Sequence, residues 1–292
     1  MRSDPADFDL ITPANLTAAV AMLAESPREW LPIAGGTDVM VQLASGTLRA
    51  RKLLSVWNLP ELRRIDALPE EIQIGAGSTY TDLRRSEIVS REFPLLARAA
   101  SWTGGIANQN RGTIGGNIVN ASPAADSLPA LLAYQAELIL VSAAGERRIP
   151  YVDFHRDYKK MVLAPGELIR SVCLPQRYSG YVQYSRKVGG RNAQAISKVC
   201  VAALGRIERG AIEDVRIALG SVAPIPIRLR ETEKLLLGKS PSADLVAKAG
   251  ETAMAETHPI DDIRSTARYR AAVVGNLVNE FLEILGGAAN RE

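Results

Sequence analysis

Cysteine and histidine are nearly missing from this chain, with two of each in 292 residues. Cys173 and Cys200 stand far apart, each in an apolar stretch, so a disulfide framework, a zinc site and an iron–sulfur cluster on this chain are all unsupported. A reducing cytoplasm suits that usage. His155 and His258 have no Cys or His at ligand spacing, which reads as surface or capping roles and gives no metal site. Basic residues outnumber acidic ones only 35 to 32, and no block of like charge is interleaved with aromatics, so nucleic acid is not implied as a partner. No run approaches the ~18 to 20 apolar residues of a membrane span. The first nine residues are polar and acidic, unlike the basic-then-apolar start of a secretory signal. Also lacking are a G-x-G-x-x-G after a strand and a G-x-x-x-x-G-K-[ST], which disfavours the usual dinucleotide fold and a P-loop kinase.

What is present is a mixed α and β pattern long enough for two cores. Thr12-Pro13 reads as the start of a short amphipathic helix carrying Leu16, Val20 and Leu23. Apolar runs at 30–34 and 39–43 read as extended segments on either side of a glycine turn, with further strands at 52–57 and 71–76. A helix over 94–102 then leads into a loop over 103–112, and a second helix follows over 127–133. Runs at 137–142, 148–152 and 167–174 continue the pattern to a boundary near 177–179. Beyond it, strands at 181–187, 195–206 and 215–219, with Glu208-Arg209-Gly210 as a turn, suggest antiparallel pairing. Helices over 227–237, 243–255 and 265–285 finish the chain, the last capped at Gly286.

Two glycine pairs stand out. Gly35-Gly36-Thr37-Asp38 follows an apolar run, and Thr113-Ile114-Gly115-Gly116-Asn117 precedes Ser122-Pro123-Ala124-Ala125-Asp126. A glycine admits positive φ and lets a ligand approach the main chain, so amides in such a turn can converge on a phosphate. Taken alone, either pair is most simply a turn, Asp126 an N-cap, and Lys187, beside Arg186 and Arg191, part of a solvated basic patch.

Together with Ile33-Ala34 ahead of the first pair, these two segments resemble the FAD pyrophosphate loops of the flavin subunits of molybdenum hydroxylases, the xanthine dehydrogenase and carbon monoxide dehydrogenase type. The similarity continues through Val162-Leu163-Ala164-Pro165-Gly166-Glu167, through residues 184–191 and into 265–270, and so covers nearly the whole chain.

The resemblance implies an α+β fold: a two-part FAD-binding domain of the p-cresol methylhydroxylase type over 1–177, split near 60, and a smaller domain over 178–292 with an antiparallel sheet and helices. It implies that Pro32, Ile33, Ala34, Gly35, Gly36, Thr37, Asp38 and Val39 wrap the pyrophosphate, with Thr113, Ile114, Gly115, Gly116 and Asn117 as the facing loop. Asp126 would bond a hydroxyl on the adenosine side, Leu163 would make a main-chain contact near the adenine, and Lys187 would lie near the flavin. Isoalloxazine neighbours would come from 103–110, beginning at Thr103, and from 189–196. A lysine common in the family three residues before Ala34 is Leu31 here. Neither histidine falls on the flavin loops, so the FAD is expected to be noncovalent, with no catalytic side chain on this chain. The implied partners are a large subunit carrying molybdopterin and a small subunit carrying 2Fe-2S clusters, in a heterotrimer. This chain would then pass electrons to NAD or another acceptor. The competing readings are a stand-alone FAD oxidase, for which the second domain is small, and a cofactor-free scaffold, against which the glycine loops argue.

Overall fold

The computed structural model describes residues 5–191 and 194–289. In chain order the elements are β1 (Asp9–Ile11), α1 (Leu16–Glu25), β2 (Trp30–Ile33), α2 (Val39–Ser45), β3 (Lys52–Ser55), β4 (Ile65–Ala67) and β5 (Glu71–Gly75). Six helices follow: α3 (Tyr80–Arg85), α4 (Glu87–Glu92), α5 (Pro94–Trp102), α6 (Ile106–Arg111), α7 (Ile114–Asn120) and α8 (Leu128–Ala133). The strands resume as β6 (Glu137–Ser142), β7 (Gly145–Pro150), β8 (His155–Asp157), β9 (Lys160–Met161) and β10 (Leu168–Pro175). Last come β11 (Val182–Val188), β12 (Val199–Glu208), β13 (Ala211–Gly220), β14 (Ile227–Arg228), α9 (Arg230–Leu236), α10 (Ala243–Ala255) and α11 (Ala267–Ala289). None of the helices among the described residues is long and apolar enough to cross a membrane.

The chain divides into two compact units, each discontinuous in sequence. The first comprises Met1–Arg85, Gly105–Ala121 and Gln135–Gln176. It holds a parallel three-stranded sheet, order β1-β3-β2, and a five-stranded antiparallel sheet, order β4-β5-β10-β6-β7. Helix α1 buries Leu16, Ala19, Val20 and Leu23 against Leu54, Val56 and Leu59, a stripe at helical spacing meeting one face of β3 and the turn after it. The second unit comprises Ser86–Gly104, Ser122–Tyr134 and Arg177–Glu292. Its antiparallel sheet, order β11-β12-β13-β14, packs Val201, Ala203, Ile217 and Leu219 against Val274, Leu277, Val278 and Phe281 of α11. Helix α8 packs against β12 and β13 with all six of its residues buried, as Gly220 lets Pro129 come within 3.2 Å of where a Cβ would stand. The α+β class expected from the sequence is what the chain adopts.

Several local expectations are corrected. Residues 39–43 were expected to be extended and form helix α2 instead, because Gly36 at φ +74° reverses the chain and its carbonyl accepts from Met40 N at 2.8 Å. That helix buries none of its residues, which is why it lacks an amphipathic signal. Helix α1 starts after Asn15, not at Pro13: the Asn15 side chain accepts from Ala18 N at 2.8 Å, and Glu61 takes the Leu16 amide at 3.1 Å. The loop expected over 103–112 contains α6, and the second glycine pair lies inside α7. Residues 227–228 pair with β13 before α9 begins. Gly286 does not cap α11, which runs on to Ala289; a Cβ there would stand 3.3 Å from Pro241 Cβ, so the glycine permits a close approach.

Candidate functional site

Strand β2 carries Pro32 and Ile33 and delivers Ala34 and Gly35 to a turn that ends at Asp38, one residue before Val39 opens α2. Gly35 has no alternative: a Cβ would lie 1.6 Å from the Arg111 carbonyl oxygen. The main chain of the first glycine segment therefore rests directly on the peptide that precedes the second, and the two motifs meet in space within the first unit. The amides of Gly35, Gly36, Thr37 and Asp38 donate to no acceptor among the described residues. Four neighbouring N–H groups left unpaired in one turn are what an anion can satisfy. At the end of this turn, the Asp38 carboxylate accepts from Gln42 Nε2 at 2.8 Å and from Asn120 Nδ2 at 3.4 Å. Asn120 is in turn held by Lys159 Nζ, which donates to its side-chain oxygen at 2.9 Å and to its carbonyl.

The second glycine pair is built differently. Thr113 caps α7, its hydroxyl accepting from Gly116 N at 3.1 Å, while Ile114 N donates to Ser78 O and Gly115 N to Ala76 O. A Cβ on Gly115 would stand 2.6 Å from that of Ala76. The amides of this segment are thus engaged within the chain, and Gly115 serves a close approach of α7 to the turn that follows β5. Gly116 and the part-buried Asn117 remain on the accessible side of the turn. Under α7, His155 is buried, contrary to the surface role expected for it: its Nε2 donates to Ile118 O at 2.9 Å, and its ring meets Tyr151 and Phe154 edge-on. Burial holds this imidazole below its ordinary pKa, against the opposing pull of the Ile118 carbonyl. Leu163 sits in a stretch of the same unit between β9 and β10, flanked by Val162 and Ala164, whose amides are taken by Phe154 O and Glu167; its own amide and carbonyl have no partner among the described residues.

In the second unit, Asp126 and Lys187 form an ion pair at 2.6 Å, with side chains 7% and 13% exposed. Asp126 also accepts from the Ser197 hydroxyl, and Lys187 donates to Trp102 O at 3.0 Å. Asp126 does not cap α8, whose N-cap is Ser127. Burial raises the Asp126 pKa, with Lys187 and Ser197 pulling the other way, and burial also pushes up the adjoining Cys200 thiol. Thr103 ends α5, its hydroxyl donating to Ala99 O at 3.0 Å. Of residues 189–196, Asn192 and Ala193 lie outside the described residues. Ser197 and the Trp102 carbonyl carry no local sequence signal; Arg111, next to the second motif, could have been found by adjacency. No group of three or more His, Cys, Asp or Glu placed to hold a metal occurs among the described residues.

A family model described as the FAD binding domain in molybdopterin dehydrogenase matches residues 6–177, and one described as the CO dehydrogenase flavoprotein C-terminal domain matches 184–285. The chain belongs to this family of molybdopterin dehydrogenase FAD-binding subunits. It is 31% identical to the xanthine dehydrogenase FAD-binding subunit of Escherichia coli O157:H7, over 94% of this chain and 95% of the relative. It is 32% identical to the glyceraldehyde dehydrogenase medium chain of Sulfolobus acidocaldarius, over 92% and 95%. Among solved structures, carbon monoxide dehydrogenase from Hydrogenophaga pseudoflava, in a form lacking the Mo-pyranopterin moiety of its molybdenum cofactor, matches with a TM-score of 0.92 at 29% identity, covering 97% of this chain and 99% of that one.

As a member of this family the chain is an oxidoreductase subunit with an FAD-binding domain. Its residues offer the cofactor's diphosphate a set of donors, because the amides of 35–38 have no acceptor among the described residues. Leu31, where the family commonly has lysine, is a part-buried strand residue paired with Leu53 and offers the site no charge.

Proposed function

We propose that this chain binds FAD noncovalently and is the electron outlet of a multi-subunit molybdenum hydroxylase. In this reading it takes electrons from 2Fe-2S clusters on a small partner subunit and passes them to NAD or another acceptor, while substrate is hydroxylated on a large molybdopterin subunit. The observation that carries the reading is the turn at 35–38, whose four amides lack acceptors among the described residues. Support for the assembly comes from relatives named as medium chains and subunits, including the carbon monoxide dehydrogenase medium chain of Hydrogenophaga pseudoflava, 29% identical. Bound FAD would supply the exchange between one-electron carriers and a two-electron acceptor.

The chain's own contribution is placement. Gly35, Gly36, Thr37 and Asp38 would donate main-chain hydrogen bonds to the diphosphate, with Pro32, Ile33, Ala34 and Val39 fixing the turn at its two ends. Thr113, Ile114, Gly115, Gly116 and Asn117 would form the facing wall, and the unpaired main chain of Leu163 would contact the adenine end. Asp126, Lys187 and Thr103 would serve the hydroxyl and flavin contacts. No side chain is assigned a proton-transfer role.

A visible absorbance spectrum of the purified chain, followed by heat or acid release of the chromophore, tests this. Free FAD in the supernatant is expected. A folded chain that is colourless and stays so after incubation with FAD would favour the scaffold reading; flavin that remains attached to the denatured chain would show covalent attachment.

A further inference from the structure

We propose that Arg111 is the cation that holds the diphosphate against the 35–38 amides, with the Trp57 indole as its support; this rests on the FAD reading above. A diphosphate carries two negative charges, and the loops bring none to oppose them. Within residues 32–39 the one charged side chain is Asp38, an anion, and residues 113–117 contain no charge at all. Amides alone would have to hold the ligand against repulsion from Asp38.

Two other cations of the first unit stand close to these groups, Arg63 on the same Trp57 ring and Lys159 on Asn120, and both are engaged. Arg63 pairs with Asp82 at 3.1 Å. Lys159 donates to both oxygens of Asn120. Among the described residues the Arg111 side chain has no carboxylate partner and makes one hydrogen bond, from Nε to the Gly35 carbonyl at 3.4 Å. The guanidinium carbon lies 3.9 Å from the centroid of the Trp57 ring, and that of Arg63 lies 4.6 Å from the same centroid. Two guanidinium groups on one indole repel each other, and Arg63 alone is neutralised by an acid, so an anion beside Arg111 would relieve the arrangement. Arg111 is also the residue whose carbonyl Gly35 rests upon, which fixes its main chain to the amide turn. Guanidinium suits the task because its planar fork matches phosphate oxygens while its face stacks on an aromatic ring.

The test is equilibrium binding to the full chain stripped of flavin, using FAD, ADP and riboflavin as three probes. ADP has the diphosphate without the flavin; riboflavin has the flavin without phosphate. Arg111→Gln is expected to weaken FAD and ADP about tenfold, flatten their dependence on salt and leave riboflavin unchanged, while Arg111→Lys recovers most of the loss. The proposal is overturned if Arg111→Gln binds FAD and ADP as the unaltered chain does, or if riboflavin weakens equally. Should Arg111→Gln fail to fold by circular dichroism, the salt titration of the unaltered chain decides: ADP affinity that does not change with salt overturns it. An unaltered chain that binds neither FAD nor ADP would instead remove the FAD reading itself, and Arg111 with it.

Discussion

Lys187 Nζ lies 2.6 Å from the Asp126 carboxylate, and the two side chains are nearly buried. The partners are far apart in sequence, and both belong to the second unit. Because burial raises the Asp126 pKa, the native chain holds that proton more tightly than the unfolded chain does. The charged carboxylate therefore costs stability at neutral pH, and the cost disappears below the ordinary carboxylate range. Lys187→Met should destabilise the chain by about 3 kcal/mol at neutral pH by leaving a buried charge unpaired. The loss should shrink as pH falls and Asp126 takes up its proton. Urea unfolding at several pH values measures this; a loss that is constant with pH would contradict it.

Gly35 and Gly115 both belong to glycine pairs, yet their replacement should separate binding from stability. A Cβ on Gly35 meets the Arg111 carbonyl oxygen at 1.6 Å, so Gly35→Ala must displace the amide turn and is expected to lose bound FAD. A Cβ on Gly115 meets Ala76, so Gly115→Ala should cost about 1–3 kcal/mol of stability through overpacking. Flavin content and the thermal midpoint, measured on both variants, distinguish the two effects.

Acid should act on the first unit through His155. Its pKa is held below the ordinary imidazole value by burial, so the associated stability is present above that ordinary value and is lost as pH falls through the folded one. His155→Phe removes the donor to Ile118 O and should cost about 1–2 kcal/mol at pH near 7.5. It should also flatten the acid limb of the stability profile. An acid limb as steep as that of the unaltered chain would assign the effect to other groups.

The β12–β13 hairpin turns through Arg209 at φ +50° and Gly210 at φ +80°. Positive φ at both central residues is the type I′ pattern, for which Asn-Gly is the preferred pair. Arg209→Asn is expected to stabilise the second unit by about 0.5–1 kcal/mol, read as a rise in the denaturation midpoint.

Much of the strand framework was legible because alternation and bounded apolar runs survive wherever one face is buried. Strand β6 and helix α10 fall where the pattern places them, and the turn at 209–210 follows from its glycine. Helix α2 was not legible: a helix that buries none of its own residues leaves no stripe, and its five apolar residues look as much like a strand. Helix α7 hid behind its glycines, which a turn and a tight helix contact require equally.

By itself, the sequence determined the α+β class, the location of both glycine motifs and, through their resemblance, the family, because these depend on local backbone permission and on residue order. The tertiary structure alone decided that the two pairs have different tasks: Gly35-Gly36 leaves amides open, whereas the amides around Gly115 are closed by Ala76 and Ser78. It also decided that residues 86–104 and 122–134 join the C-terminal segment in one unit, that His155 is buried, and that Asp126 meets Lys187 and Ser197. Those outcomes depend on which distant segments come to lie against each other, and contacts across such separations leave no periodicity in the chain to read.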